Sequence, residues 1–279
     1  MLKKKTLVSG LLSLFMFFSL LTSVGAQASN EVDEAVIPAL SDAFSADEST
    51  INNHLEKMGF NSTEIFNLPI DMKRDISSKD GKKVASQDVD LTINATDEQG
   101  KSVNKQALAE QVRAAASGPT VSGYAVYGGT SNNGKERIYQ VYATYKWSSS
   151  PFNFYTDNLA MAWQSNATPT GSPNGQHTVY NTNGVKVGSY SSKVSKEEVS
   201  GTAWLVDIKA GGSYNVQDGW GRQELRYPTS SQGISTAIAV GYSHRTLPGF
   251  TTGVGLSFGY VSFTGTGKVD YTGRFNFTI

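Results

Sequence analysis

Cysteine is absent from the 279 residues. Thiol catalysis, Cys-x-x-Cys redox chemistry and cysteine-based zinc sites are therefore excluded, and no disulfide can form even in an oxidising compartment. Stability has to come from a packed core and backbone hydrogen bonding. Histidine is scarce: His54, His177 and His244 are the whole set, and no two of them stand at zinc-ligand spacing. Asp88, Asp90 and Asp97 lack the glycine and closing glutamate of a calcium loop. There is no Gly-x-Gly-x-x-Gly and no phosphate-loop lysine, which argues against nucleotide cofactors. The expectation is no metal, no cofactor, and no nucleotide or nucleic acid as partner.

Tyrosine and tryptophan are missing from the first 118 residues. The 13 tyrosines run from Tyr124 to Tyr271, and the four tryptophans are Trp147, Trp163, Trp204 and Trp220. Charge changes at the same place. Residues 29–118 carry 16 acidic and nine basic residues, whereas residues 119–279 carry eight acidic and 12 basic ones. An acidic, helix-patterned region of 29–118 thus precedes an aromatic, Gly/Ser/Thr-rich region of 119–279 whose apolar residues alternate with period two. Opposite net charges would let the two attract each other, or leave the basic part to face an anionic partner.

The chain opens with the pattern of a secretory signal. Lys3, Lys4 and Lys5 precede an apolar run from Leu7 to Leu21, and Ala26-Gln27-Ala28 is an A-x-A cleavage site. Residues 1–28 are expected to be removed after Ala28 and the protein to be extracellular. No later segment approaches the roughly 18 apolar residues of a spanning helix.

In the acidic region, the spacing predicts helices over 31–44, from a cap at Ser45 or Asp47 to Gly59, from Asn61 with capping-box chemistry, and over 70–78. Alternating Val89, Leu91 and Ile93 predict a strand, and Ser102 to Ala116 a helix stopped by Gly118-Pro119. After residue 119 about ten strands are expected, with hairpin signals at Asn133-Gly134 and Asn183-Gly184. The fold class is mainly β: an antiparallel sandwich or barrel-like domain preceded by a small α-rich region.

Two constellations are candidate binding surfaces. Aromatic residues crowd around Ser148 to Pro151, and Trp147, Phe152, Phe154 and Tyr155 are the candidates there. Trp220 lies between two glycines beside Arg222. Such rings stack on sugars or sit at a lipid interface when exposed, and fill cores when not. The segment 251–279 reads as a hairpin with one apolar face, drawn from Val254, Leu256, Phe258, Tyr260, Phe263, Phe275 and Phe277, and with a phase flip at Tyr260-Val261 that implies a β-bulge. Its strands, at about 10–12 residues, match the length that crosses a bilayer, while an ordinary half-buried antiparallel sheet shows the same alternation and is the preferred reading. Gly255 to Gly259 matches the Gly-x-Ser-x-Gly of a nucleophile elbow, but the alternating sequence around Ser257 offers no following helix. No catalytic residue is assigned. The expected activity is non-enzymatic binding to an anionic cell envelope, membrane surface or glycan, with membrane activity of a toxin- or bacteriocin-like kind included. A secreted hydrolase with an unidentified site, or a structural, matrix or glycan-binding module, are the alternatives.

Overall fold

Three short helices begin where side chains can satisfy the first free amides. In α1 (Glu48–Lys57) Asp47 accepts the Thr50 N–H at 2.9 Å. In α2 (Ser62–Asn67) Asn61 and Glu64 cap each other, Asn61 Oδ1 accepting the Glu64 amide at 2.9 Å and Glu64 Oε2 accepting the Asn61 amide at 2.7 Å. Pro69 then sets the start of α3 (Ile70–Ser77). The computed structural model describes residues 36–103, 118–149, 151, 155–209, 214–247 and 252–279. Within 31–44 the expected helix gives way: residues 41–46 form turns, and Ile37 instead exchanges backbone hydrogen bonds with Gly81. Pro38 lacks the amide a helix would need there. Residues 31–35 of that expectation, and residues 104–116 of the helix expected from Ser102, lie outside the described residues.

Fourteen strands are described. They are β1 (Lys82–Asp88), β2 (Thr92–Thr96), β3 (Thr120–Thr130), β4 (Glu136–Trp147), β5 (Thr156–Ala162), β6 (Thr168–Asn181) and β7 (Lys186–Ser191), followed by β8 (Lys193–Glu198), β9 (Gly201–Asp207), β10 (Tyr214–Pro228), β11 (Ser235–Arg245), β12 (Gly253–Ser257), β13 (Tyr260–Thr264) and β14 (Lys268–Thr278). Two six-stranded sheets pack as a sandwich. Sheet 1 has the order β1-β3-β4-β10-β6-β7 and sheet 2 the order β2-β14-β11-β5-β9-β8. The paired strands run antiparallel. β1 and β2 therefore lie on opposite sheets at one edge, and β7 and β8 at the other. The strand expected over Val89 to Ile93 is instead the crossing at the first edge: the Val89 amide still bonds to Val121 in sheet 1, and Thr92 opens β2 in sheet 2. β1 escaped the sequence reading because an edge strand with one neighbour tolerates a polar stretch such as Lys82 to Asp88.

Alternation sends one set of side chains inward. From sheet 1 these include Val121, Tyr139, Val141, Tyr145, Trp147, Leu225 and Tyr227; from sheet 2, Leu159, Met161, Trp163, Trp204, Val240, Tyr242, Phe275 and Phe277. The rings need room, and glycines supply it. A Cβ on Gly221 would meet the Trp204 ring at 2.7 Å, and one on Gly123 would overlap the Phe275 ring.

The outer face of sheet 1 carries Tyr124, Val126, Tyr142 and Trp220, and the helices cover it with Ile51, Leu55, Met58, Ile65, Met72 and Ile76. A buried polar group pins this cap. Asp75 on α3 accepts from Tyr142 Oη at 2.9 Å and Asn174 Nδ2 at 3.2 Å, and its carboxylate lies 3.2 Å from Arg222 Nε. Asp71 takes Lys186 at 2.7 Å and Ser189 at 2.6 Å from β7. The compositional border near residue 118 thus falls inside one compact unit that runs from Ala35 to Ile279.

Asp75→Ala leaves the buried Tyr142 hydroxyl without its acceptor and Arg222 without its carboxylate, although Gln140 still bonds the guanidinium, and should cost about 1–3 kcal/mol in urea unfolding. Asp218, also on the outer face of sheet 1, has Oδ1 without a partner, and burial pushes its carboxyl up to about 7 against the opposing pull of Lys146 and Tyr180. The unfolded carboxyl ionises near its ordinary value of 3.8. The proton held in the fold therefore contributes stability that is full below that value, erodes as pH rises, and is lost above about 7. Asp218→Asn should shift the urea midpoint little at pH 4 and raise it at pH 8.

Candidate functional site

The outer face of sheet 2 is built from small residues. Ala160 and Ala162 on β5, Ala203 on β9 and Ala239 on β11 are buried there, with Gly201 and Gly241 between them. Side chains this small would make a poor surface on their own. They are a seat for a third layer: the hairpin β12–β13, which among the described strands pairs only with itself, from Gly253↔Thr264 to Ser257↔Tyr260. Leu256 and Val261 are buried against the alanines, with Val254 and Phe263 packed beside them. A Cβ on Gly241 would meet Phe263 at 2.7 Å and Val261 at 2.8 Å. Few polar bonds hold the hairpin down. Gly259 N–H donates to Trp163 O at 2.7 Å, Lys196 Nζ to Val254 O at 3.1 Å, and Ser200 Oγ to Leu256 O at 3.3 Å. A crevice of about 410 Å³ between β13 and β14 shows that the hairpin leaves part of the seat uncovered.

This corrects the reading of 251–279 as one long hairpin. The phase flip at Tyr260-Val261 is a tight turn through Phe258 and Gly259, the latter at φ +68°, not a bulge. A two-residue turn puts Ser257 and Tyr260 on one face and Leu256 and Val261 on the other, which inverts the phase as a bulge would. The two strands have five residues each, short of the roughly 9–11 that a spanning strand requires. β14 belongs to sheet 2, between β2 and β11, and Phe275 and Phe277 lie in the sandwich core, Phe277 with its ring 5.2 Å from that of Tyr139. Val254, Leu256 and Phe263 face the seat. Phe258 and Tyr260 face outward, 50 % and 58 % exposed.

Two further apolar residues are exposed at the same end, Val199 at 64 % and Ile234 at 51 %. Trp163 and Gln164 connect them to the tip. Trp163 Nε1 donates to Val199 O at 2.8 Å, while its carbonyl holds Gly259; Gln164 bonds to Thr236, two residues past Ile234, at 3.2 Å. Phe258, Tyr260, Val199 and Ile234 thus form an apolar rim at one end of the sandwich. Sequence reasoning named the first two, but alternation put them on the face of Val254 and Leu256, which the turn at Phe258-Gly259 turns away from them. It gave Val199 no role, and alternation put Ile234 in one row with Ile238, Val240 and Tyr242, whereas β11 begins only at Ser235 and Ile234 is left exposed.

The other candidates do not converge on a surface. Trp147 is fully buried and donates its indole N–H to Tyr242 Oη at 3.1 Å. Trp220 lies beneath the helices, 6.0 Å from the Tyr142 ring, with Arg222 held at Asp75. Tyr155 is half-buried under the Arg245 guanidinium, 5.0 Å away. Phe152 and Phe154 lie outside the described residues.

The titratable groups are structural in their surroundings. Ser257 ends β12 and is followed by a turn and a strand, so the helix of a nucleophile elbow is replaced. Asp157 accepts from Tyr242 Oη at 2.7 Å, His244 Nδ1 at 2.9 Å and the Arg245 amide at 3.0 Å, all in the interior. His177 bridges Tyr145 Oη at 2.5 Å and Gln217 Oε1 at 3.0 Å, and burial lowers it to about 4. Among the described residues no group of three or more histidine and carboxylate side chains could hold a metal, and no helix is long and apolar enough to cross a membrane.

No family model and no curated protein matches the chain. Among solved structures, the chain is similar to the Clostridium perfringens NetB toxin in its membrane-inserted form, at 8 % identity over 69 % of this chain and 94 % of that one, with a TM-score of 0.25. A second is the C-terminal domain of the Streptococcus agalactiae AgI/II polypeptide BspA, at 7 % identity over 67 % and 80 %, with a TM-score of 0.28. A third is the KRT10-binding region domain of the pneumococcal serine-rich repeat protein PsrP, at 12 % identity over 57 % and 86 %, with a TM-score of 0.20. Superposition at these scores transfers neither fold nor residue roles.

The seat itself is testable. Gly241→Val forces side-chain atoms into the Phe263 and Val261 contacts and should destabilise the protein by about 1–3 kcal/mol. Limited proteolysis should then cut within 252–264 faster than in the wild type.

Proposed function

We propose that this protein is a secreted, non-enzymatic β-sandwich protein that binds a cell-envelope or membrane surface through the rim formed by Phe258, Tyr260, Val199 and Ile234. The observation that carries this reading is the hairpin tip. Two aromatic rings are held in water on a small third layer, although the chain has a full aromatic core in which to bury such rings. Apolar groups clustered at one end of a soluble fold mark contact surfaces, and amphipathic rings partition to the lipid–water interface. The leader pattern supplies the route to such a surface.

Anionic liposomes test this directly, by flotation for binding and by dye release for permeabilisation, using the mature chain from Ser29. Burying a large apolar side chain contributes roughly 1.5–3 kcal/mol, so Phe258→Ser/Tyr260→Ser should weaken vesicle binding by at least about tenfold. Release accompanied by large oligomers would place the protein among membrane-active ones; binding without release would make it a surface binder. Absence of vesicle binding by the folded wild type, or equal binding by the double variant, would overturn the reading.

A further inference from the structure

On the opposite face of the sandwich the helical cap stops short of the end of sheet 1. α2 and β1 form one wall, and the outer faces of β3 and β4 form the floor of a groove of about 470 Å³. That volume is within the range of small-molecule sites. Its lining is polar but sparsely charged. Tyr124 lies in the floor, its ring backed by Phe60 at 6.3 Å. Around it the Asn67 amide, the Thr120 and Thr144 hydroxyls and the Lys146 ammonium line the groove, with Asn67, Thr120 and Lys146 exposed.

Two carboxylates of the groove are fixed in place from behind. Asp88 Oδ1 accepts from the buried Ser122 hydroxyl at 2.6 Å, which orients the rest of the exposed carboxylate. Glu64 is held by Lys83 at 2.7 Å, by Ser86 and by the Asn61 amide. Groups already held in position lose little freedom when a ligand arrives. Two carboxylates, beside one exposed ammonium that also acts on Asp218 across β4 and β10, disfavour a phosphate or any polyanion. So polar a lining disfavours an acyl chain. What remains is a neutral or amino-substituted polyol, whose hydroxyls match the Asn67 amide and the carboxylates.

We propose that this groove is a saccharide-binding site, with Asp88, Asn67 and Lys146 as its hydrogen-bonding residues. It does not rest on the hairpin reading, since the rim lies on the other sheet. The two contacts are compatible on one molecule.

The test is a printed array of mono- to tetrasaccharides covering hexoses, N-acetylhexosamines, deoxyhexoses and sialic acids, probed with the mature chain. Asn67→Ala/Lys146→Ala changes two exposed side chains, so folding should be retained, as circular dichroism would confirm. The wild type should capture at least one saccharide class. The groove variant should lose at least about tenfold of that signal while its vesicle binding stays unchanged, and Phe258→Ser/Tyr260→Ser should keep the saccharide signal. No captured saccharide, or equal capture by wild type and groove variant, overturns the site. A lost vesicle interaction with intact saccharide capture would sink the hairpin reading instead.

Discussion

The sandwich depends on one steric match: large rings on one sheet require missing side chains on the other. Trp204 rises from sheet 2 into the space over Gly221 and Gly175 of sheet 1, and Phe275 lies over Gly123. Face-to-face sheets pack about 10 Å apart, and rings of this size fill that gap only if the opposing position is empty. Leucines and valines could interlock with one another and would not need such notches. In a chain without disulfides, this fit of ring to glycine fixes the register between the sheets.

The same device recurs on the outside of sheet 2, with a different result. Alanine and glycine there admit a whole hairpin where the interior admits a ring. The outer face of sheet 1 follows the other strategy, with large residues covered by helices and pinned through Asp75. Two outer faces of one sandwich are thus covered by different means. The cap is anchored by buried charge, while the hairpin is held by apolar contact and a handful of backbone bonds.

Much of this was legible in the residues. Asp47, Asn61 and Glu64 announced α1 and α2, because capping is local chemistry. The inward rows of β4 and β5 followed from period two, and the sandwich class from many short strands with Gly/Asn turns. What failed was long-range. The chain from Gly253 to Ile279 alternates as if it were one hairpin, yet β14 pairs with β11 and β2, and no local pattern encodes that choice. Trp220 between glycines looked equally suited to a loop tip and to a core. Its neighbours were the clue, for Gly219 and Gly221 point inward to clear space for Tyr145 and Trp204 while Trp220 itself points out under the cap. The polar groove had no sequence signature, since α2, β1, β3 and β4 contribute residues that span positions 61–146.

At both lateral edges the chain steps directly from one sheet to the other, between β1 and β2 through Val89 to Leu91, and between β7 and β8 through Ser192. Each step is only one to three residues long, so the chain there has no slack. The sheets cannot splay at either side, or slide along one another, without first tearing strands off an edge. Under tension such a body should behave as if sewn along both seams, yielding by stepwise loss of edge strands rather than by opening like a book. A protein that holds a surface while the fluid around it moves would bear load in that way.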